Sequence, residues 1–401
     1  MTNTMDNIEK YQKQLLEQTQ KLYQETPISE ATVQAYLATP RHCFVKRYRE
    51  WFTKEWHVVN PDNLAEHLAT LYANRPIILF GDDDQHVPST ISQPAFVLRM
   101  LDLLQLKPGD KVFELGAGSG WNAALMGHLV GAQGHVVSLE IIPELAQGAA
   151  QTIESMGISN VHVVAGDGTE GYPDEAPYDR AIFTAGAFDL PRYFYQQLRD
   201  EGLLLAVIKN EGGGDNLFLL RKNGDHFESM HSQPCGFVQL RGRYEFENLE
   251  PAVLEKAIPE WSELQGKEIG KRRFWWGGKG RAGFVWTTLG IRSFLGITEP
   301  AFRAFKTAKL DEQDIEHHYF GLWDAEKHSL VVAKDDWLVT YGNTQAEERL
   351  LQEVRQWVEV GMPTAACLDL KVFPIDAPLK AGDNQWLVKR RDSQFLWTLQ
   401  P

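Results

Sequence analysis

The sequence predicts an α/β fold: a doubly wound, mainly parallel sheet behind an N-terminal helical cap, followed by a separate C-terminal α+β domain. Three observations predict it. Between Pro94 and Ile208, apolar segments alternate between helical and extended periodicity; one of the strands runs straight into a glycine-rich turn; and the alternation stops near Tyr244. Alternation of this kind builds parallel sheets with right-handed crossovers. A chain of 401 residues has room for two or three folded units. The pattern divides it into residues 1–88, a helical cap with an irregular insertion; 89–244, the α/β domain; and 245–401, the α+β domain.

Taken in order, Ile8, Tyr11, Leu15 and Leu22 share one helical face, and Thr32 to Leu37 reads as a second short helix ending before Pro40. Lys46 to Asp84 is irregular, with apolar stretches at Trp56 to Val59 and Ile77 to Phe80 and a polar run from Asp82 to Asp84. A helix from Ala95 to Leu104 leads through Lys107-Pro108-Gly109-Asp110 to the strand Lys111 to Leu115 and the turn Gly116-Ala117-Gly118-Ser119-Gly120. The series continues with a helix from Trp121 to Val130, a strand at Val136 to Leu139, a helix from Glu144 to Met156 and a strand at Val161 to Val164. It ends with a strand at Arg180 to Thr184, a helix from Arg192 to Leu198 and a strand at Leu203 to Ile208. Beyond Tyr244, Asn248 to Glu268 and Ala301 to Leu310 read as helical, and Ala346 to Val360 as one long helix. Short strands are expected at Tyr319 to Trp323, Ser329 to Val332, Trp337 to Tyr341, Cys367 to Phe373 and Gln385 to Val388.

Composition narrows the function. With 40 basic and 54 acidic residues the formal charge is −14, an average field that repels phosphate backbones and argues against nucleic acid as a partner. No apolar run approaches the ~18 residues of a membrane helix, so no membrane association is expected. Cys43, Cys235 and Cys367 are odd in number and far apart, which fits neither a disulfide framework nor a metal spacing and suggests a reducing, cytoplasmic setting. Nothing in the sequence reports on oligomeric state.

The chemistry concentrates at the glycine turn. A strand ending in Glu114-Leu115 and followed by Gly116-x-Gly118-x-Gly120 at the start of a helix lets backbone amides and a helix N-terminus approach a ligand closely. A dinucleotide fingerprint needs its third glycine at position 121, which holds Trp121. S-adenosylmethionine, which has no phosphate, suits the tighter spacing better. Glu140 closes the following strand, where its carboxylate can accept from both ribose hydroxyls, and Asp167, beside Gly168, falls at the next strand end, near the adenine. Ser92 has two readings from spacing alone: a cap for the helix that opens at Pro94, or a catalytic hydroxyl. Thr90 shares its face if the segment is extended. Glu114 reads as a buried carboxylate that supports the turn and faces the methionine amine.

Several segments together resemble the protein L-isoaspartate (D-aspartate) O-methyltransferases: Thr39-Pro40-Arg41-His42-Cys43-Phe44-Val45, Thr90-Ile91-Ser92-Gln93-Pro94, the turn from Glu114 to Gly120, Gly166-Asp167-Gly168 with Gly171, and Ala176-Pro177-Tyr178-Asp179. The resemblance spans roughly residues 30 to 210. It implies a Rossmann-like methyltransferase sheet and methylation of isoaspartyl or aspartyl carboxylates in a protein or peptide substrate. It also implies Ser92 as the active-site hydroxyl, with Glu140 and Asp167 on the cofactor. The chain departs from the family in a longer stretch between Val45 and Thr90, in Ile208-Lys209-Asn210 after the last strand, and in residues 245–401, which the short repair enzymes lack. With Gln233-Pro234-Cys235-Gly236-Phe237-Val238-x-Leu240-Arg241-Gly242, that extension resembles longer bacterial homologues, some of which methylate an aspartate in one precursor peptide, whereas Thr90 to Pro94 is of the repair type. A binding module that keeps the methyltransferase fold is the reading from another class.

Two further constellations stand apart. Lys271-Arg272-Arg273-Phe274-Trp275-Trp276, with Lys279 and Arg281, interleaves cations and aromatics and reads first as a solvated basic loop, then as a recruiter of acidic peptide, and last as a binder of single-stranded nucleic acid. Glu316-His317-His318 and the run Asp82 to Asp84 match no metal spacing and read as solvated turns.

Overall fold

The computed structural model describes residues 2–51, 53–81, 89–211, 215–246, 252–258, 260–274, 290–306, 318–334, 336–364 and 367–400. Five parallel strands form the heart of the fold, in the order Val161–Ala165, His135–Glu140, Lys111–Leu115, Tyr178–Phe183, Leu198–Ile208. Val112, Phe113, Val136, Val137, Ile182 and Phe183 are fully buried because helices cover both faces, which is why these strands read as continuous apolar runs. Strand order reverses at Lys111–Leu115: the chain runs outward from it through His135–Glu140 to Val161–Ala165, then returns to its other side with Tyr178–Phe183 and Leu198–Ile208. A crevice therefore opens beyond its carboxyl end, the place where open α/β sheets bind ligands.

The helical cap locks onto this crevice. Thr2–Leu22 buries Ile8 and Leu15, although Leu22, expected on the same face, is exposed. Glu30–Ala38 is capped by Ser29, which with Thr32 also donates to Asp102 on the helix Pro94–Leu104. Trp121, the first residue of the helix Trp121–Val130, is fully buried and donates from Nε1 to the Thr39 carbonyl at 2.9 Å. The residue that breaks the dinucleotide fingerprint is thus the anchor between cap and glycine turn.

Beyond Ile208 the sheet continues antiparallel through the hairpin Asn216–Asn223 and His226–Pro234, which the periodicity did not reveal. Residues after 245 divide between two sheets. Ala252–Val253, Phe302–Lys306, His318–Asp324, Ser329–Lys334, Trp337–Tyr341 and Glu268–Arg273 form a second, six-stranded sheet against which the helix Gln345–Glu359 packs. The chain then returns to the first sheet: Leu368–Pro374 pairs with His226–Pro234, and Ser393–Leu399 and Gln385–Lys389 follow it, giving ten strands. An uncovered hairpin edge is a template for pairing, and the C-terminal strands cover it.

Four expectations are corrected. The helix proposed for Ala301 to Leu310 is, over its described part, the strand Phe302–Lys306, paired with His318–Asp324. Phe302 and Phe305, three apart, mimic a helical face, and cross-strand packing decides otherwise. Among its described residues Asn248 to Glu268 is helical only in the short pieces Leu254–Ala257 and Trp261–Leu264, with Ala252–Val253 extended. The helix at Arg192 to Leu198 shrinks to Phe194–Gln197, because Leu198 already pairs with Tyr178. Finally, residues 290–298 form a helix that was not anticipated.

Candidate active site

The glycine turn is built by three left-handed backbone positions, with φ of +98° at Gly116, +53° at Gly118 and +83° at Gly120. A Cβ at Gly116 would stand 2.6 Å from Thr184 Oγ1, and one at Gly118 would point toward the Thr90 carbonyl at 3.7 Å. Gly116 and Gly118 line a cleft with about 1010 Å³ of space, its open mouth included. Gly120 lies outside that lining: a Cβ there would meet Ala149 at 2.9 Å, so this glycine lets the helix Pro143–Ser155 pack closely rather than touching a ligand.

All the other residues singled out as a site meet in this cleft: Thr90, Ser92, Glu114, Glu140, Asp167 and Gly168. Glu114 is fully buried and accepts from Asn122 Nδ2 at 2.7 Å and Ser138 Oγ at 2.5 Å, not from the turn amides. Burial pushes its carboxyl up to about 7 against the pull of those two hydrogen bonds, with the nearby Glu140 adding to the rise. Glu140 accepts from Gly118 N at 2.7 Å through Oε2 and from Ile142 N at 3.1 Å through Oε1. Burial raises its carboxyl too, opposed by the backbone amides and by Arg241. The two amides fix the plane of the carboxylate and leave each oxygen a lone pair for a ligand hydroxyl. Asp167 uses Oδ1 to cap its own turn, accepting from Thr169 N and Oγ1, and Oδ2 to accept from Arg243 N at 2.8 Å. One lone pair on Oδ2 remains.

The short strand Ser89–Ile91 pairs with Ile77–Phe80 and carries Thr90 and Ser92 along the cleft wall. The capping role weighed for Ser92 is not realised: Gln93 is the N-cap of Pro94–Leu104 and no side chain caps it. Arg41 holds the Ser92 segment in place. Its buried guanidinium donates to the Ser92 carbonyl at 2.7 Å, to Ile91 O at 3.3 Å and to Arg75 O at 3.4 Å, and lies 5.2 Å from the centroid of the Trp121 ring.

Sequence reasoning missed the segment that crosses over the cleft. Phe237 to Arg241 lines it, held by Gly186 N to Val238 O and Leu240 N to Gly186 O, both 2.8 Å. Asn122, Thr184 and Ser89 were missed as well. Spacing marks none of these; only the position of Thr184, directly after a strand, was a signal. A second cleft abuts the first, lined by Trp51, Phe96, Cys235 and Phe237 among others, and Thr90 and Ser92 belong to both. Among the described residues its one charged lining residue, Asp215, is paired with Lys209 at 2.6 Å.

The basic-aromatic segment lies elsewhere, on the strand Glu268–Arg273 of the second sheet. Arg272 pairs with Glu347 at 2.6 Å, while Lys271 and Arg273 lie within 5.3 Å of the Trp337 ring centre. Trp275, Trp276, Lys279, Arg281, Glu316, His317 and the run Asp82 to Asp84 fall outside the described residues.

Residues 10–245 match the family model for protein-L-isoaspartate(D-aspartate) O-methyltransferase. A protein-L-isoaspartate O-methyltransferase 2 of Archaeoglobus fulgidus is 34% identical over 234 residues, covering 57% of this chain and 94% of that relative. The protein-L-isoaspartate O-methyltransferase of Ignicoccus hospitalis is 41% identical over 151 residues, 38% of this chain and 72% of its own. A solved structure of a protein-L-isoaspartate O-methyltransferase aligns over 90% of this chain and 96% of its own length, with a TM-score of 0.52 and 21% identity, a likeness of fold.

Proposed function

The chain belongs to the protein-L-isoaspartate(D-aspartate) O-methyltransferase family and is a methyltransferase that uses S-adenosylmethionine, and from that premise we propose that its two joined clefts perform one reaction, methyl transfer to the free carboxylate of an isoaspartyl residue in a protein or peptide. The observation that carries the proposal is the wall the clefts share. Thr90 and Ser92 face the donor cleft on one side and the apolar, peptide-sized groove on the other.

S-adenosylmethionine supplies an electrophilic methyl on a sulfonium. Toward it, the Glu140 carboxylate, already set in plane by two amides, receives the ribose hydroxyls. Asp167 and Gly168 flank the adenine, Gly116 and Gly118 admit the chain of the donor, and Glu114 faces its amine. A peptide carboxylate, with a reference pKa of ~4, is already the nucleophile at neutral pH, so no general base is needed. What remains is placement. Ser92 Oγ donates to the carboxylate oxygen that does not attack, Thr90 lies beside it, and Arg41 fixes the backbone at Ile91 and Ser92. A neutral donor suits a step in which opposite charges cancel, because a cation there would stabilise the ground-state anion more than the transition state. Phe237 to Arg241 lines the cleft and narrows the access of water to it. The next backbone nitrogen attacks the ester so formed and expels methanol to give a succinimide, which water opens to aspartate or isoaspartate.

The three free cysteines accord with a cytoplasmic setting. Among the described residues, no helix is long and apolar enough to cross a membrane.

The test is transfer of label from S-adenosylmethionine to an isoaspartyl peptide and its aspartyl twin. Base-labile label on the isoaspartyl peptide alone is expected. Label on the aspartyl twin, or on neither despite donor binding, overturns the substrate assignment.

A further inference from the structure

At the opposite end of the parallel strands, three ligating side chains converge. Val136 pairs with Val161 and Val137 with His162, so His135, two before Val137, lies diagonally beside His162 on the same face of the sheet. Both histidines stand at the amino-terminal ends of their strands, remote from the cleft at the carboxyl ends. Glu175 reaches them from the short turn Pro173–Glu175. Its Oε2 is 2.7 Å from His135 Nε2 and its Oε1 is 3.1 Å from His162 Nδ1. One ligand atom from each residue fits within a span of 4.8 Å.

We propose that His135, His162 and Glu175 form a binding site for one divalent transition-metal ion, with zinc the best match. Two imidazole nitrogens and one carboxylate oxygen form a borderline donor set that favours such ions over calcium or magnesium. Zinc takes these donors at ~2.0–2.2 Å, with the fourth tetrahedral position open to water. The donors stand a little closer together than one ion requires, and a small withdrawal of the half-buried Glu175 carboxylate makes room. His135 Nε2 is shielded from solvent and, though 2.7 Å from a carboxylate oxygen, is not aligned to hydrogen-bond with it. The surroundings support the geometry. Lys111 Nζ donates to the Glu175 backbone carbonyl at 2.8 Å, which holds the turn and leaves the carboxylate for the ion, and the Tyr172 ring stands edge-on to His162 at 6.0 Å. Within the ten-stranded sheet Val161–Ala165 is the last strand, and Glu175 leads into Tyr178–Phe183, two strands beyond His135. A bound ion would therefore staple the sheet edge to a turn crossing beneath Lys111, a structural task separate from methyl transfer.

Chelator-stripped protein titrated with Zn2+ alone, by calorimetry and by thermal unfolding, tests this. The expected result is one equivalent bound with a rise in Tm, and the visible bands of tetrahedral Co2+ on substitution. His135→Ala/His162→Ala should weaken binding about tenfold or more, and Glu175→Gln measurably, with methyl transfer from donor-saturated enzyme unchanged in both. Equal binding by the double variant would assign the ion to others among the 12 histidines and overturn the proposal. So would a Tm that responds to pH but not to Zn2+, which would make the cluster an ion pair only.

Discussion

Glu114→Gln isolates the electrostatic cost of the buried carboxyl behind the glycine turn. Burial lifts that group from its ordinary 4.5 to about 7, so between those values the folded protein holds a proton that the unfolded chain has lost. Stability must then fall as pH rises through this window. The cost is absent below pH 4.5 and complete above pH 7, and it amounts to roughly 3 kcal/mol. Glutamine keeps the shape and cannot ionise. It can accept from Asn122, while the Ser138 hydroxyl rotates to accept from the new amide. Urea unfolding followed by circular dichroism at pH 5 and pH 8, on both proteins, reads the difference. The variant should gain on the wild type by roughly 2–3 kcal/mol between the two pH values, most of it from pH 5 to 7. A stability difference that does not change with pH would show that Glu114 titrates normally, and the account of this site would need revision.

Four further outcomes are expected. If Glu114 faces the donor's amine, S-adenosylmethionine affinity measured calorimetrically should rise from pH 6 to pH 8 in the wild type and lose that dependence in Glu114→Gln. Ser92→Ala should lower kcat by about 10²-fold with little change in donor affinity; an equal loss in both would remove Ser92 from the reaction. Gly242→Ala puts a methyl into Asp167 Oδ2 and 2.7 Å from Ile141 Cδ1 at a φ of +89°, so KM for the donor should rise and stability drop by about 1–3 kcal/mol. Gly109→Ala, at φ +90° with open space around it, is the control for backbone strain alone, and matching kinetics in the two variants would count against a steric role. Arg41→Lys should lower kcat and Tm together, since an ammonium cannot reach the Ser92, Ile91 and Arg75 carbonyls from one plane; a wild-type kcat would show that these contacts do not position Ser92.

What the sequence disclosed was local. Lys111–Leu115 and Trp121–Val130 fall where periodicity and the glycine turn place them, because strand, turn and helix each carry their signal within a few residues. Glu140 and Asp167 followed from counting strand ends. Ser92 did not: spacing alone favoured a cap, and the resemblance redirected attention to its hydroxyl. The segment from Phe237 to Arg241 was illegible as part of the site, because what brings it to the crevice is pairing with Gly186, far away in sequence. The strand at Phe302–Lys306 was misread for a related reason, its partner His318–Asp324 being what selects extended backbone over a plausible helix.

The return of the chain to its first sheet has a consequence for biosynthesis. The hairpin ending at Pro234 emerges from the ribosome long before Leu368–Pro374, the strand that seals it. Throughout that interval the nascent chain carries a sticky flank, in the state in which other polypeptides are most readily captured. Shortening the protein after Tyr244 would make that interim condition permanent, so a stop codon there should yield inclusion bodies rather than a minimal enzyme.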